Sequence, residues 1–279
     1  MKNRLLIVYF LYVAVLGLFF HVGWGPWILA AVVALLLWAL ERTPPLIQDF
    51  APLAFILAAY REMDWFTPAH RDYRLEKIWI AWDHRLLEGW HLRAAIERTG
   101  AWLPFLLEAS YTSLYVITPL SLLLLYRYGR RAAVDRFWMA VLSGTLLAYA
   151  LFPFFPSAPP RVVFPGADSP SILTAPRRLN LWLTGNFGIH SSVFPSAHVS
   201  AALACAWALL CVLPARRGIA WSVAALGLAI AVAAVYGRYH YAADVAAGAL
   251  ISLIAFPAAL RRSDKSYSAP HPETPGSSA

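Results

Sequence analysis

Residues 194–248 read FPSAH, then a long apolar stretch, then YGRYHYAADVAAG, and this segment decides the fold. Between His198 and His240 lie two apolar runs, 196–214 and 219–237. Together they give about twice the length that crosses a bilayer. A chain that crosses and returns over such a hairpin brings both histidines to the same side of the membrane. The sequence therefore predicts one site assembled from two motifs that are distant along the chain.

The composition indicates a polytopic membrane protein. The chain has 279 residues, of which 60% are hydrophobic and 14% are charged, whereas soluble domains carry about 25% charged residues. The net charge of +8 is concentrated in short clusters between apolar segments. Such clusters are typical of cytoplasmic loops. We therefore expect a bilayer as the partner of this surface, and no nucleic acid.

The apolar pattern predicts an all-α fold, a polytopic membrane helix bundle with about six to eight transmembrane helices. Runs suitable for such helices are 5–22, 26–40, 103–126, 134–156, 196–214, 219–237 and 241–260. The run 46–60 is shorter and contains Pro52, so it is a tilted span, a re-entrant segment or an interfacial helix. No small-residue cleavage site follows the first run, which favours a retained span over a signal peptide.

Basic clusters predict the orientation of the bundle. They fall in three loops or ends: Arg127, Arg130, Arg131 and Arg136; Arg216 and Arg217; Arg261, Arg262 and Lys265. Cytoplasmic loops carry an excess of Lys and Arg, so these three segments are expected inside. The alternate loops, 157–195 and 236–241, then face outside. The sequence predicts a multi-pass protein of the cell membrane with its site outside the cytoplasm.

We predict four regions along the chain. Residues 1–60 form N-terminal transmembrane helices, and 61–101 form an interfacial amphipathic region on the outer side. Residues 102–262 form the catalytic membrane core, and 263–279 form a disordered cytoplasmic tail, because that tail has too few apolar residues to pack. The second region carries seven basic and seven acidic residues with several tryptophans, whose rings prefer the headgroup zone.

His240 and Asp244 form the first candidate pair. On a helix starting near residue 240, positions i and i+4 share a face, so the carboxylate can accept a hydrogen bond from one ring nitrogen. This bond fixes the tautomer and leaves the other nitrogen as a nucleophile. The alternative is an ion pair at a helix start without turnover.

Ser196, His198 and Arg161 supply the other candidate groups. Proline followed by Ser196 predicts a helix start whose N–H groups and hydroxyl favour a phosphate, although serine there also serves as a simple cap. His198 lies in the following turn and could protonate a leaving oxygen. Arg161 ends the proline-rich stretch PSAPPR, and a guanidinium binds phosphate bidentately. Arg161 could instead meet lipid headgroups, as could Arg177.

The order Arg, Ser-x-His, His-x-x-x-Asp resembles the type-2 phosphatidate phosphatase superfamily, PAP2, over roughly 103–260. The resemblance implies phosphoryl transfer through a phosphohistidine. In this chain it would form on His240, with Asp244 as the orienting partner and His198 as the general acid.

Two departures narrow the resemblance. The common pattern has a Lys, six residues and then Arg-Pro, where this chain has only Ala158-Pro159-Pro160-Arg161. The usual arginine six residues before the nucleophile is Ala234 here, and Arg238 is the available substitute. This reduced pattern resembles the inositol-phosphorylceramide-synthase-like branch of inositolphosphotransferases, which move a phosphoinositol headgroup between lipids. The stretch beginning at Asp83, and Glu108, resemble that branch too, as acceptor-site residues or as packing polar residues.

The expected function is an integral-membrane lipid phosphotransferase or phosphatase. Its partners would be a lipid phosphate ester and an acceptor, which is either water or an alcohol, inositol-like or lipid. We expect no metal and no cofactor, because no carboxylates or histidines cluster at metal spacing. A protein of another class, which binds or transports lipid without catalysis, is the alternative, since buried ionisable residues in membranes also mark transport paths.

Overall fold

The computed structural model describes residues 1–260, and this part of the chain is helical without a β-strand. Its α-helices are α1 (Lys2–Phe19), α2 (Gly25–Leu40), α3 (Pro45–Phe50), α4 (Pro52–Glu62), α5 (Arg74–His84), α6 (Leu92–Glu97), α7 (Trp102–Thr112), α8 (Ile117–Arg127), α9 (Val134–Leu151), α10 (Pro160–Val163), α11 (Ala175–Phe187), α12 (Ala197–Val212), α13 (Arg217–Tyr236) and α14 (Ala242–Leu260). The all-α prediction is confirmed.

Helix α12 forms the centre of the bundle and packs against α9, α13 and α14. It is rich in alanine, and small residues on its neighbours allow the backbones to approach closely. A Cβ added to Gly144 of α9 would lie 3.1 Å from Ser200 Oγ, and one added to Gly227 of α13 would lie 2.9 Å from Leu203 Cδ2. Ser200 Oγ donates a hydrogen bond to the Gly144 carbonyl at 3.0 Å. Close packing and hydrogen bonds of this kind hold helices together in lipid, where burial of apolar surface contributes little free energy to their association.

Within residues 1–260, three helical segments are long and apolar enough to cross a membrane: Lys2–Phe19, Arg131–Phe154 and Pro214–Tyr236. A fourth is added if the bent pair formed by α7 and α8 is one span. The apolar helices Gly25–Leu40, Ala197–Val212 and Ala242–Pro257 have only 10–17 residues. The predicted number of six to eight spans therefore stays a prediction.

The run 103–126, predicted as a single span, is broken in the structure. Helices α7 and α8 meet at an angle of 69°. Side-chain hydroxyls bond to backbone carbonyls of the preceding turn at the break, with Thr112 Oγ1 donating to Glu108 O at 3.0 Å and Ser113 Oγ to Ser110 O at 2.6 Å. Pro119, in the first turn of α8, cannot donate a helical hydrogen bond. These residues together end α7 and start a new helix.

The run 46–60 is also divided. It forms α3, of 6 residues, and α4, of 11 residues, which begins at Pro52. A proline is tolerated in the first turn of a helix and not in its interior, so the chain starts a new helix there. Each piece is shorter than a bilayer crossing requires.

Residues 61–101 contain short helices, including α5, α6 and a π-helical turn at Arg85–Gly89. The four predicted regions and the outer placement of this segment stay predictions. The predicted disordered tail, 263–279, and the last basic cluster, beginning at Arg261, lie outside the described residues.

A buried carboxylate joins four helices at one end of α9. Asp49 of α3 accepts from Lys2 Nζ at 3.4 Å, from Tyr126 Oη at 2.6 Å and from Arg131 Nε at 3.0 Å. Its backbone carbonyl accepts from Trp138 Nε1 at 2.8 Å. We call these five residues the Asp49 cluster. Phe152, just past the other end of α9, borders the cavity described below.

Candidate active site

The first turn of α12 places His198. Ser196 precedes the helix as its N-cap, and its Oγ accepts a hydrogen bond from the Val199 N–H at 3.4 Å. Serine is among the preferred residues for this position. His198 is the second residue of the helix, so its imidazole lies at the helix end and borders a cavity.

A tight turn between α13 and α14 places His240. The backbone N–H groups of Tyr239 and His240 both donate to the Ala234 carbonyl, at 2.9 and 3.1 Å. Arg238 has a φ of 61°. A Cβ at Gly237 would overlap the ring of Tyr239, so only glycine fits there. The turn ends α13 and directs His240 to the same cavity.

Two acceptors fix the orientation of the His240 ring. Its Nδ1 lies 3.1 Å from the Val193 carbonyl oxygen and 3.3 Å from Asp244 Oδ2. Because a carbonyl can only accept, Nδ1 carries the proton and Nε2 keeps its lone pair. Asp244 Oδ2 also accepts from the Tyr241 N–H at 2.9 Å. The helix begins at Ala242 rather than at 240, and the carboxylate reaches back from its first turn.

The two imidazoles share one site. The centroids of the His198 and His240 rings are 5.7 Å apart, and their planes are inclined by 82°. Contact between the starts of α12 and α14 sets this distance. The Ser196 N–H donates to the Asp244 carbonyl at 2.9 Å, and a Cβ at Gly248 would overlap the Ser196 carbonyl oxygen. The predicted meeting of two motifs distant along the chain is present in the structure.

Arg161 borders the same cavity, which has a volume of about 70 Å³. Its guanidinium carbon lies 5.3 Å from the centroid of the Tyr239 ring, and its backbone N–H donates to the Arg238 carbonyl at 3.3 Å. The residues that complete the wall are Tyr60, Tyr111, Tyr149, Phe152, Pro159, Thr184, Gly188, Ile189, Ser192, Val193, Ala197 and Tyr239. The cavity therefore combines one cation and two imidazoles with a wall that includes four tyrosines and one phenylalanine.

Burial shapes the electrostatics of this site. Desolvation, and next the nearby Arg161 cation, lower the pKa of His240 to about 3. The imidazole is therefore neutral near pH 7, as a nucleophile must be. Desolvation also lowers the pKa of Arg161. A guanidinium starts from so high a value that it keeps its charge.

Asp83 and Arg238 form a buried ion pair behind the site. Arg238 Nη1 lies 2.6 Å from Asp83 Oδ2, and both side chains are fully buried. Asp83 Oδ1 accepts from the Ala242 N–H at 2.9 Å, at the start of α14. The pair thus holds both sides of the turn that carries His240.

Glu108 and Arg177 form a second buried pair. Arg177 Nη1 lies 2.8 Å from Glu108 Oε1 and 3.3 Å from the Gly237 carbonyl oxygen, to which it donates. Glu108 Oε2 accepts from Tyr239 Oη at 2.7 Å and from Asn180 Nδ2 at 2.8 Å. This network holds the turn before His240 from the side of α7 and α11.

The cavity wall, as far as residues 1–260 define it, does not include five side chains for which substrate contact is predicted. These are Ser196, Arg238, Arg177, Asp83 and Glu108. Each is buried and bonded to protein groups, Ser196 as a helix cap and the others as ion pairs. The structure places them behind the wall, and their contact with a substrate stays a prediction.

Some wall groups carry no sequence signal. Tyr60 and Tyr149 lie in apolar helices, where a tyrosine does not stand out as a functional residue. The Val193 carbonyl is a backbone group, which no sequence pattern identifies. Within the described residues, no three His, Cys, Asp or Glu side chains converge as a metal site would require. The expectation of no cofactor stays a prediction.

Residues 77–258 match the family model of the PAP2 superfamily, which is more than half of the chain. The chain belongs to the PAP2 superfamily. The match includes Arg161 and both histidine motifs, so the predicted superfamily is confirmed, while the inositol-phosphorylceramide-synthase-like branch stays a prediction. Members of the superfamily act on phosphate esters, and together with the apolar helices this membership supports a membrane protein. No curated protein and no solved structure matches the chain.

Proposed function

We propose that this PAP2 protein transfers a phosphoryl or phosphoinositol-type group from a membrane lipid through a covalent intermediate on His240. The observation that carries the proposal is the placement of two imidazoles, with centroids 5.7 Å apart, beside Arg161 in one cavity. A phosphate between the rings would meet a nucleophile on one side and a proton donor on the other.

The first half-reaction forms the intermediate. The lone pair of His240 Nε2 attacks phosphorus, and the bond from phosphorus to the leaving oxygen breaks. The leaving oxygen keeps the electron pair and takes a proton from His198, whose protonated form is stabilised by the negative charge of the bound phosphate. Asp244 stabilises the positive charge on the phosphorylated ring through Nδ1–H, while Arg161 neutralises charge on the equatorial oxygens.

The second half-reaction returns the enzyme to its starting state. An acceptor hydroxyl attacks phosphorus and gives its proton to His198. The phosphorus–nitrogen bond breaks, and its electron pair returns to Nε2 of His240. With an alcohol as acceptor the reaction is a transfer, and with water it is a hydrolysis.

We favour an alcohol acceptor. The reduced motif around Arg161 resembles the inositolphosphotransferase branch, whose members move a headgroup between lipids. Mass spectrometry of lipids from cells that lack the protein would name the donor, which accumulates, and the product, which disappears. If the protein only hydrolyses its donor, the product that disappears from these cells would be a free phosphate or headgroup.

The two buried ion pairs have a positioning role in this proposal. Asp83 with Arg238, and Glu108 with Arg177, bind the turn that carries His240 from two sides. Removing one partner of a buried pair leaves an uncompensated charge, so the turn that carries His240 would lose its fixed geometry.

The direct test is His240→Ala, assayed in detergent with a lipid phosphate ester. We expect turnover to fall by about 10³-fold or more, because the covalent route is lost. His70→Ala, at an exposed histidine, is the matched control. Undiminished turnover in His240→Ala would refute the proposal, and lipid movement in vesicles without turnover by the unmodified protein would favour transport.

A further inference from the structure

Side chains from the end of α4 and the segment after it bind the backbone that leads into α12. Four of them contact consecutive or nearby backbone groups of residues 187–191. The contacts are Arg61 Nη1 to Phe187 O at 3.2 Å, Ile189 N to Tyr60 Oη at 3.0 Å, His190 N to Asp64 Oδ1 at 2.7 Å and Arg71 Nη2 to Ser191 O at 3.4 Å. We call Tyr60, Arg61, Asp64 and Arg71 the clasp.

The clasp acts on a segment that forms the site. Gly188, Ile189 and Val193 border the cavity, and the Val193 carbonyl accepts from His240 Nδ1. The clasp residues precede residue 77, where the superfamily match begins. Part of the active-site wall is therefore held, and in one place supplied, by a region outside the matched family core.

Tyr60 differs from the other clasp residues because it borders the cavity itself. Its Oη accepts the Ile189 N–H, which fixes the phenol in place. Among the residues that the structure describes, its own O–H has no acceptor. Tyr12 and Tyr239, by contrast, donate to Ala150 O and to Glu108 Oε2. An oriented donor on a cavity wall is suited to bind a polar ligand atom.

The neighbours of Tyr60 indicate which part of a substrate it meets. Arg161, His198 and His240 supply the groups that a phosphate needs. Tyr60 enters from α4 and packs its ring against Tyr149, with centroids 5.9 Å apart. Two adjacent phenols present apolar faces with polar edges, a surface suited to an oxygen-bearing group beyond the phosphate.

We propose that Tyr60 is a specificity-determining residue that donates a hydrogen bond from Oη to an oxygen of the donor lipid's headgroup. The inference rests on the proposed phosphoryl transfer and adds a donor preference to it. A site built to hydrogen-bond a substrate group discriminates against an analogue that lacks this group.

The test compares two donors on three variants. One donor is a lipid phosphodiester with a polyhydroxylated headgroup, and the other is a lipid phosphate monoester without a headgroup. Tyr60→Phe removes the hydroxyl, Asp64→Ala removes a clasp contact while keeping Tyr60, and Tyr12→Phe is a matched phenol control away from the cavity. The readout is kcat/KM for each donor, and above all the ratio of the two.

Tyr60→Phe should lower kcat/KM for the diester about tenfold and change that for the monoester much less, because one hydrogen bond to the headgroup is lost. Asp64→Ala should lower both by the same factor, since it loosens only the segment 187–191. Tyr12→Phe should leave the ratio as in the unmodified protein.

Two outcomes would overturn the inference. Equal factors for both donors in Tyr60→Phe, which leave the ratio unchanged as for Asp64→Ala, would mean that Tyr60 only holds the segment. Turnover of the monoester alone by the unmodified protein would refute the headgroup contact while phosphoryl transfer stands. If the unmodified protein converts neither donor, the proposed function fails first.

Discussion

Two polar clusters border α9 at its opposite ends, and they differ in what their charged groups face. In the Asp49 cluster one carboxylate receives three side-chain donors, and its backbone carbonyl receives a fourth. At the other end His198, His240 and Arg161 surround a cavity. Arg161 lies over the Tyr239 ring, and no carboxylate in the described residues pairs with it.

Polar residues in an apolar bundle have two different roles at these two ends of α9. A carboxylate surrounded by donors is satisfied within the protein and joins helices. Donors and lone pairs that face a cavity are satisfied by water or by a ligand that displaces it. An anion such as a phosphate fits the second cluster, because its charge complements Arg161 and the start of α12, where Ala197 and His198 border the cavity.

Among the variants that test the difference between the two clusters, His198→Ala should have the largest effect on turnover. With a lipid ester, turnover should fall by about 10³-fold, because the leaving oxygen loses its proton donor. A nitrophenyl ester needs no proton on its leaving oxygen, so formation of the covalent intermediate from this donor should fall far less. Rapid-quench measurement of the first turnover with both donors checks this. Equal losses would argue against His198 as the general acid.

Arg161→Ala should lower kcat by about 10²-fold, since a cation beside the equatorial oxygens is removed. The kcat of Arg161→Lys should lie between those of the unmodified protein and Arg161→Ala, because an ammonium keeps the charge and loses the bidentate geometry. Arg178→Ala, at an exposed arginine, is the control. Steady-state kinetics with one lipid donor would measure kcat for each variant. A fully active Arg161→Ala protein would show that the charge of Arg161 is not needed for turnover, which contradicts the contrast between the two clusters.

Gly248→Ala should lower kcat about tenfold by changing distance rather than chemistry. The added Cβ would overlap the Ser196 carbonyl oxygen and force the starts of α12 and α14 apart. Gly218→Ala is the matched control, since a Cβ there meets nothing within 4 Å. Kinetics and thermal unfolding in detergent should be measured on both. A native rate in Gly248→Ala would show that ring separation is not critical.

Asp49→Asn should have the smallest effect on turnover. The amide keeps the shape but loses the charge that pairs with Arg131, so the free energy of unfolding should fall by about 1–3 kcal/mol. The rate per folded molecule should stay within about twofold, because distant sites act independently. Thermal unfolding and kcat on the same preparation check both parts. A rate loss as large as that of Arg161→Ala would show that the two ends of α9 are energetically coupled, contrary to this prediction.

The pairing of His198 with His240 could be predicted from the sequence, because an apolar hairpin of known length has few ways to return. The contact of Asp244 with His240 was predicted from helical spacing, although His240 lies before α14 and the carboxylate reaches back to it. Arg161 followed from charge and from a proline-rich loop. In each case a local pattern carried the information.

Other features depend on contacts between distant segments. The break between α7 and α8 arises from hydroxyls that bond backward and from Pro119, whereas hydrophobicity shows one uninterrupted run. Glu108 and Asp83 were predicted as acceptor-site residues or as packing polar residues. The sequence did not predict their ion pairs, because the arginine partners lie 69 and 155 residues further along the chain. Tyr60 reaches the cavity only because α4 packs against α9. No spacing rule covers such partners.

The covalent intermediate on His240 can be trapped and located. The protein would be mixed with a lipid donor labelled at phosphorus and quenched within one turnover. Our account predicts close to one label per molecule, labile in acid and stable in alkali, located on His240 by mass spectrometry and absent from His240→Ala. A protein that turns over while carrying no label, or that carries it on another residue, would contradict the account.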